Sequence, residues 1–157
     1  MKSTSLLFVC LGNICRSPSA EAVMQHLVDE AGLQDQIKLD SAGTIAFHAG
    51  KPADSRMKAH AQRRGIKLTS ISRKVTASDF TDFDYILAMD QQNYDDLREM
   101  APDEKARNKV ERMLSYAPET GVTEVPDPYY GGAEGFETVL DLLEVACANL
   151  LKRVQNS

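Results

Sequence analysis

The stretch VCLGNICRSP, Val9–Pro18, places two of the chain's three cysteines in one short loop and follows the second with arginine, serine and proline. Just before it, SLLFVC (Ser5–Cys10) is an apolar run of strand length, ending where Gly12 and Asn13 signal a turn. Just after it, Ser17 suits a helix N-cap and Pro18 the first helical position. Only five residues separate Cys10 from Arg16. A connection that short must curl tightly, so the backbone N–H groups of Leu11, Gly12, Asn13, Ile14 and Cys15 point inward. Such a nest, facing the positive end of a helix dipole, is an anion cradle. Gly12 and Asn13 are the residue types that tolerate the left-handed conformations such a curl needs. Arg16 adds a planar fork able to grip two oxygens of one anion.

Outward from this loop, strand-like and helix-like segments alternate. The first helix is expected to run from Ser17-Pro18 to a glycine stop at Gly32. IKLDSAG (Ile37–Gly43) reads as a second strand, and a helix from Asp54 to Arg64 stops at Gly65. YILAM (Tyr85–Met89) reads as a third strand ending at Asp90, with a fourth near Val110–Leu114. Apolar residues at helical spacing from Phe136 to Val154 mark a last helix. This alternation predicts an α/β fold, a parallel sheet covered by helices on both faces. The 157 residues fit a single domain, 1–157. Ligands of such sheets bind outside the carboxyl ends of the strands. Cys10, Ser41 and Asp90 each fall at or near such an end, so one rim gathers all three, with Ser41 and Asp90 as supports of the loop.

The composition narrows the setting. Three cysteines, an odd number, in a chain long enough for its own core point to a reducing cytoplasm. The longest uninterrupted apolar run, Leu6–Leu11, is far short of the ~20 residues that span a bilayer, so no membrane partner is expected. A net charge of −5 argues against nucleic acid as a partner. The charge is uneven: Lys51–Val75 holds eight of the 18 Lys and Arg and one of the 23 Asp and Glu. That segment reads either as a solvated helix face or as a local field attracting an anionic substrate.

A cysteine at the base of an anion cradle has a defined chemistry. Helix N-termini and neighbouring cations lower a thiol from its free pKa of ~8.5 to ~3.5–7.5. Cys10 is therefore expected as a thiolate aimed at the phosphorus of a bound phosphate. The fixed donors would stabilise charge on the equatorial oxygens during transfer. The hydroxyl of Ser17 is placed to hydrogen-bond the sulfur and help it leave. Cys10 and Cys15 also have a permissible metal-ligand spacing, but no third ligand lies near, so neither metal nor cofactor is expected. Far along the chain, DPYYGG (Asp127–Gly132) offers Asp127, held by Pro128, as a proton donor. Asp-Pro followed by Gly-Gly is equally good turn chemistry; beside a phosphate cradle the acid is the stronger reading.

CLGNICRSP, together with DSAGT (Asp40–Thr44), FDYILAMD (Phe83–Asp90) and DPYYGG, resembles the low-molecular-weight protein tyrosine phosphatases over nearly the whole chain. The resemblance implies a four-stranded parallel sheet flanked by helices, with Cys10 as nucleophile and Arg16 as the phosphate clamp. It implies Asp127 as proton donor and then as base for the water that hydrolyses a phosphocysteine. Phosphotyrosine proteins become the expected substrates, and inorganic phosphate or vanadate the expected inhibitors. Tyr129 and Tyr130 would wall a slot deep enough that a phosphotyrosine reaches the base while phosphoserine falls short. Two positions depart from the family pattern. Phe47, beside His48, stands where many members line the entrance with tryptophan. Ser70 stands where many have a histidine bracing the loop asparagine, a brace that includes Asn13, Ser17 and Ser41.

Three other readings are open to the sequence. A thioredoxin-coupled arsenate reductase needs further cysteines on a mid-chain segment, and Thr76–Met100 has none. A protein-arginine phosphatase usually carries threonine where Ile14 stands. A non-catalytic phosphate-binding module would need neither Cys10 nor Asp127. The resemblance also makes Cys15 a disulfide partner that shields Cys10 from irreversible oxidation. Peroxide should then inactivate the protein and dithiothreitol restore it; equal recovery by a Cys15→Ser variant would remove the protective role.

Overall fold

The computed structural model describes residues 3–156. In chain order its regular elements are β1 (Thr4–Cys10), α1 (Arg16–Glu30), β2 (Ile37–Gly43), α2 (Ser55–Gln62), α3 (Asp79–Asp82), β3 (Tyr85–Ala88), α4 (Gln91–Met100), α5 (Glu104–Arg107), β4 (Val110–Arg112) and α6 (Ala133–Gln155). Residues 1, 2 and 157 of the expected domain lie outside the described part.

The sheet is four-stranded and parallel throughout, in the order β2-β1-β3-β4. The α/β fold class read from the alternation is the one observed. Leu6, Leu7, Phe8 and Val9 have no solvent exposure, because β1 is central and both its faces are covered. Leu6, Phe8 and Cys10 join the core formed with α1 and α6. Leu7 and Val9 face the other way, into a smaller core with Phe80, Leu97 and Ala101. A strand buried on both faces reads as a continuous apolar run rather than an alternation, which is why SLLFVC is so uniform.

The chain leaves β1 towards β2 on one side and later returns to β3 on the other. Strand order therefore reverses at the carboxyl end of β1, the position at which open parallel sheets collect ligands. Cys10 is the last residue of that strand.

Several boundaries differ from expectation for physical reasons. Helix α1 starts at Arg16, with Cys15 rather than Ser17 as its N-cap. Pro18 fits as the third helical residue because first-turn N–H groups have no intrahelical partner to lose. The expected second helix ends early, at Gln62, and Asp54 is its cap, accepting from the backbone N–H groups of Arg56 and Met57. Strand β4 stops at Arg112, and Met113–Tyr116 turns into a 3₁₀ segment. Helix α4 was not foreseen. Within QQNYDDLREM only Asn93 and Leu97 are buried, so there is no apolar stripe to read.

Close approach dictates one glycine near the loop. A Cβ on Gly43 would lie 2.7 Å from the carbonyl oxygen of Leu11 and 3.1 Å from that of Ile45, both backbone atoms. Gly43→Ala should therefore cost about 1–3 kcal/mol in urea unfolding; an unchanged midpoint would mean that the approach is not constrained.

Candidate active site

Cys10 leaves the end of β1 with 3% of its surface exposed. The Asn13 N–H points at its sulfur at 3.3 Å, and the Ser17 hydroxyl lies 3.1 Å from the same atom. Asn13 has φ +58°, the one non-glycine residue with positive φ among those described. The left-handed turn expected from Gly12 and Asn13 is thus carried by Asn13. Gly12 leaves room for a neighbour: a Cβ there would lie 2.9 Å from Cδ2 of His48, whose ring would have to shift.

The side chain of Asn13 holds the turn in place. Its Nδ2 donates to Ser17 Oγ at 2.8 Å, and its Oδ1 accepts from the Arg73 N–H at 3.1 Å. The Ser72 hydroxyl donates to the Gly12 carbonyl at 2.9 Å. Ser72 and Arg73 went unnoticed in the sequence because one of these contacts uses a main-chain donor. The available signal was the buried Asn13 carboxamide, whose oxygen needs a donor from outside the loop.

Ser41 requires a correction. Its hydroxyl donates to Glu21 at 2.6 Å rather than bracing the loop. Ser41 pairs in register with Phe8, and neighbours in a sheet share a face, so it points towards α1, where Glu21 lies. The neighbouring Ala42 supplies the contact instead, its carbonyl 3.4 Å from Ser17 Oγ.

Arg16 is 3% exposed and is held along one edge. Its Nη1 donates to Asp90 Oδ2 at 2.6 Å and to the Val125 carbonyl at 3.1 Å. The other Asp90 oxygen accepts from the Asn93 N–H at 2.7 Å, capping α4. One carboxylate thus fixes the arginine and starts a helix. Burial opposes the charge on Arg16, but negative charge at Cys10 and the bond to Asp90 raise its pKa above the usual arginine value.

Asp127 lies across the cleft, its Oδ2 3.8 Å from Arg16 Nη2 and its Oδ1 accepting from the Tyr129 N–H at 3.0 Å. Cys10, Leu11, Gly12, Ile14, Cys15 and Arg16 line the base of a cleft of about 540 Å³. Its upper walls are Ile45, Phe47, His48, Asp127, Tyr129 and Tyr130. Phe47 meets His48 edge-on at 4.8 Å, and Tyr129 meets Tyr130 edge-on at 4.9 Å. Phe47 and Tyr130 remain 78% and 93% exposed, which leaves aromatic surface free at the mouth. Cys15 is buried, and burial, with Asp54 and Cys10 adding negative charge, pushes its thiol well up. That environment disfavours its thiolate form.

The basic segment is partly accounted for by ion pairs. Arg56 pairs with Asp54, Arg64 with Glu137, Asp141 and Glu144, and Arg73 with Asp40 and Asp79.

A buried thiol facing the Asn13 amide, in one cleft with a buried guanidinium at a sheet's switch point, belongs to the class of cysteine-based anion-transfer enzymes. Comparison with known proteins narrows that class. The low molecular weight phosphotyrosine protein phosphatase family profile matches residues 5–157. The low molecular weight phosphotyrosine protein phosphatase of Homo sapiens is 41% identical over 150 residues, 95% of this chain and 94% of that one. YfkJ of Bacillus subtilis, a low molecular weight protein-tyrosine-phosphatase, is 43% identical over 152 residues, 96% of each chain. A crystal structure of protein tyrosine phosphatase from Entamoeba histolytica matches with TM-score 0.95 at 49% identity, covering 98% of each chain. This chain belongs to the low molecular weight protein-tyrosine-phosphatase family. It is a hydrolase of protein phosphotyrosine, and the family works through a cysteinyl-phosphate intermediate.

The Arg16–Asp90 pair allows a test that separates its two roles. Asp90→Ala removes both charge and cap and should cost about 3–5 kcal/mol in urea unfolding, since it strands a buried charge. Asp90→Asn keeps a good cap and should recover part of that loss while kcat/KM stays depressed. Full recovery of both would show that only the cap matters.

Proposed function

We propose that Cys10 Sγ attacks the phosphorus of a phosphotyrosyl side chain seated in the cleft. An S–P bond forms as the ester P–O bond breaks, and Asp127 passes its proton to the departing phenolate oxygen. In the second step a water gives a proton to Asp127 and attacks the phosphorus. The S–P bond then breaks, releasing inorganic phosphate and returning the thiolate, with the Ser17 hydroxyl hydrogen-bonding the departing sulfur. The observation that carries this reading is the sulfur of Cys10, 3.3 Å from the Asn13 N–H and 3.1 Å from Ser17 Oγ.

Arg16 supports the same assignment. With Nη1 committed to Asp90 and Val125, its Nε and Nη2 form the edge offered to two phosphate oxygens. Leu11, Gly12, Asn13, Ile14, Cys15 and Ser17 complete the phosphate loop. Asp90 is its support, by way of Arg16. Phe47, Tyr129 and Tyr130 serve as walls for the tyrosyl ring, and Ile14 narrows the base. Inorganic phosphate and vanadate should compete for the same cradle, Cys15 is the redox partner of Cys10, and the cytoplasm is the working compartment of the whole 1–157 domain.

The protonation states set the pH dependence. Attack needs Cys10 as thiolate and departure needs Asp127 protonated, so kcat/KM should peak on the acid side of neutrality. Loss of the substrate dianion, with a second pKa of about 6, shapes the acid limb. Asp127→Ala should lower kcat/KM by about 10²–10⁴ on phosphotyrosine peptide and flatten the alkaline limb. An unchanged profile removes Asp127 from the mechanism.

A further inference from the structure

The segment carrying Asp127 is tied down at Glu124 and Val125, which bond Gln91, Met89 and Arg16, but the residues beyond them have few such ties. Residues 121–132, GVTEVPDPYYGG, include no helix or strand. Within it, Tyr129 N–H bonds Asp127 and Gly131 N–H bonds Pro128, both local contacts. Among the described residues, a single hydrogen bond ties 126–131 to a distant part of the chain. Arg56 Nη2 donates to the Tyr129 carbonyl at 2.9 Å.

The donor is itself fixed. Arg56 Nε and Nη2 meet the two carboxylate oxygens of Asp54 at 3.2 and 3.1 Å, a fork-to-fork pair. Its guanidinium also lies 5.4 Å from the ring centre of Tyr129 and 5.0 Å from that of Phe136, within cation–π range of both. Asp54 in turn joins the phosphate loop: its backbone N–H donates to the Ile14 carbonyl at 2.8 Å. A continuous chain thus runs from Ile14 through Asp54 and Arg56 to Tyr129, and Tyr129 N–H holds Asp127.

We propose that Arg56 is a positioning residue that sets the distance between the proton donor Asp127 and the nucleophile Cys10, by fixing the acid loop to the same Asp54 that anchors the phosphate loop. This rests on the assignment of Asp127 as the acid. Arg56 is on the surface and does not line the cleft, so it acts through the loop and not on the substrate. Its loss should matter where a proton must be delivered, and little where the leaving group departs unaided.

The test compares kcat/KM on phenyl phosphate, whose phenolate needs a proton, with p-nitrophenyl phosphate, whose leaving group does not. Arg56→Ala should raise the ratio of p-nitrophenyl to phenyl phosphate rates by about 10- to 100-fold, the scale of a small misplacement of a catalytic group. Arg56→Lys, which keeps the charge but cannot make the fork, should show the same bias, reduced. In an Asp127→Ala background Arg56→Ala should add nothing further, because two changes acting on one proton transfer are not additive. Turnover of p-nitrophenyl phosphate by each variant certifies that it is folded. Equal losses on both esters, or full additivity with Asp127→Ala, would overturn the positioning role while leaving the acid in place. No bias in Asp127→Ala alone would overturn the acid assignment, and this inference with it.

Discussion

Everything in the site depends on the left-handed turn at Asn13. A seven-residue path from Cys10 to Arg16 has to bring a backbone amide onto a buried sulfur and then enter a helix, and Asn13 takes the conformation that allows it. That conformation costs about 1–2 kcal/mol for a residue with a Cβ. Two side-chain hydrogen bonds, to Ser17 and from Arg73, each return about 0.5–1.5 kcal/mol. The two sums are of the same size, so the turn is held without net strain. A glycine would make the curl more easily, but it would remove the bond to Ser17 and leave the Arg73 N–H without its acceptor. The asparagine both adopts the turn and fastens it to two neighbouring segments.

The second constraint is the burial of Arg16. A guanidinium taken out of water needs nearby negative charge, and Asp90 supplies it while capping α4. This coupling explains why the site sits at the junction of three strands. β1 ends in the nucleophile, Asp90 follows β3 after the single residue Met89, and the backbone after the 3₁₀ turns brings the Val125 carbonyl to the same guanidinium. Exposed pairs elsewhere, such as Arg107 with Glu104, belong to a class worth about 0–1 kcal/mol. They do not decide the fold as the buried pair does.

The sequence was most informative where physics leaves one choice per position. The apolar run Leu6–Val9, the Gly12-Asn13 turn and Pro18 together define strand, loop and helix, and the site's floor follows from them. It was least informative where contacts depend on main-chain atoms or on register. Ser41 looked like a loop support because it lies near a strand end; only its pairing with Phe8 shows that it faces α1. Ser72 lies one residue from the backbone donor that meets Asn13, and no side-chain pattern marks that donor. Helix α4 was hidden by its sparse apolar content, although Asp90 at its start is a good capping residue.

The account stands on a covalent bond between Cys10 and phosphorus. The direct measurement is acid quenching of the enzyme during turnover of an aryl phosphate, followed by peptide mass spectrometry and phosphorus NMR of the trapped protein. The account predicts a phosphate carried on the Cys10 sulfur, appearing with the first turnover and disappearing as substrate is exhausted. A phosphate found on another side chain, or steady product release with unmodified Cys10 at every quench time, would contradict it.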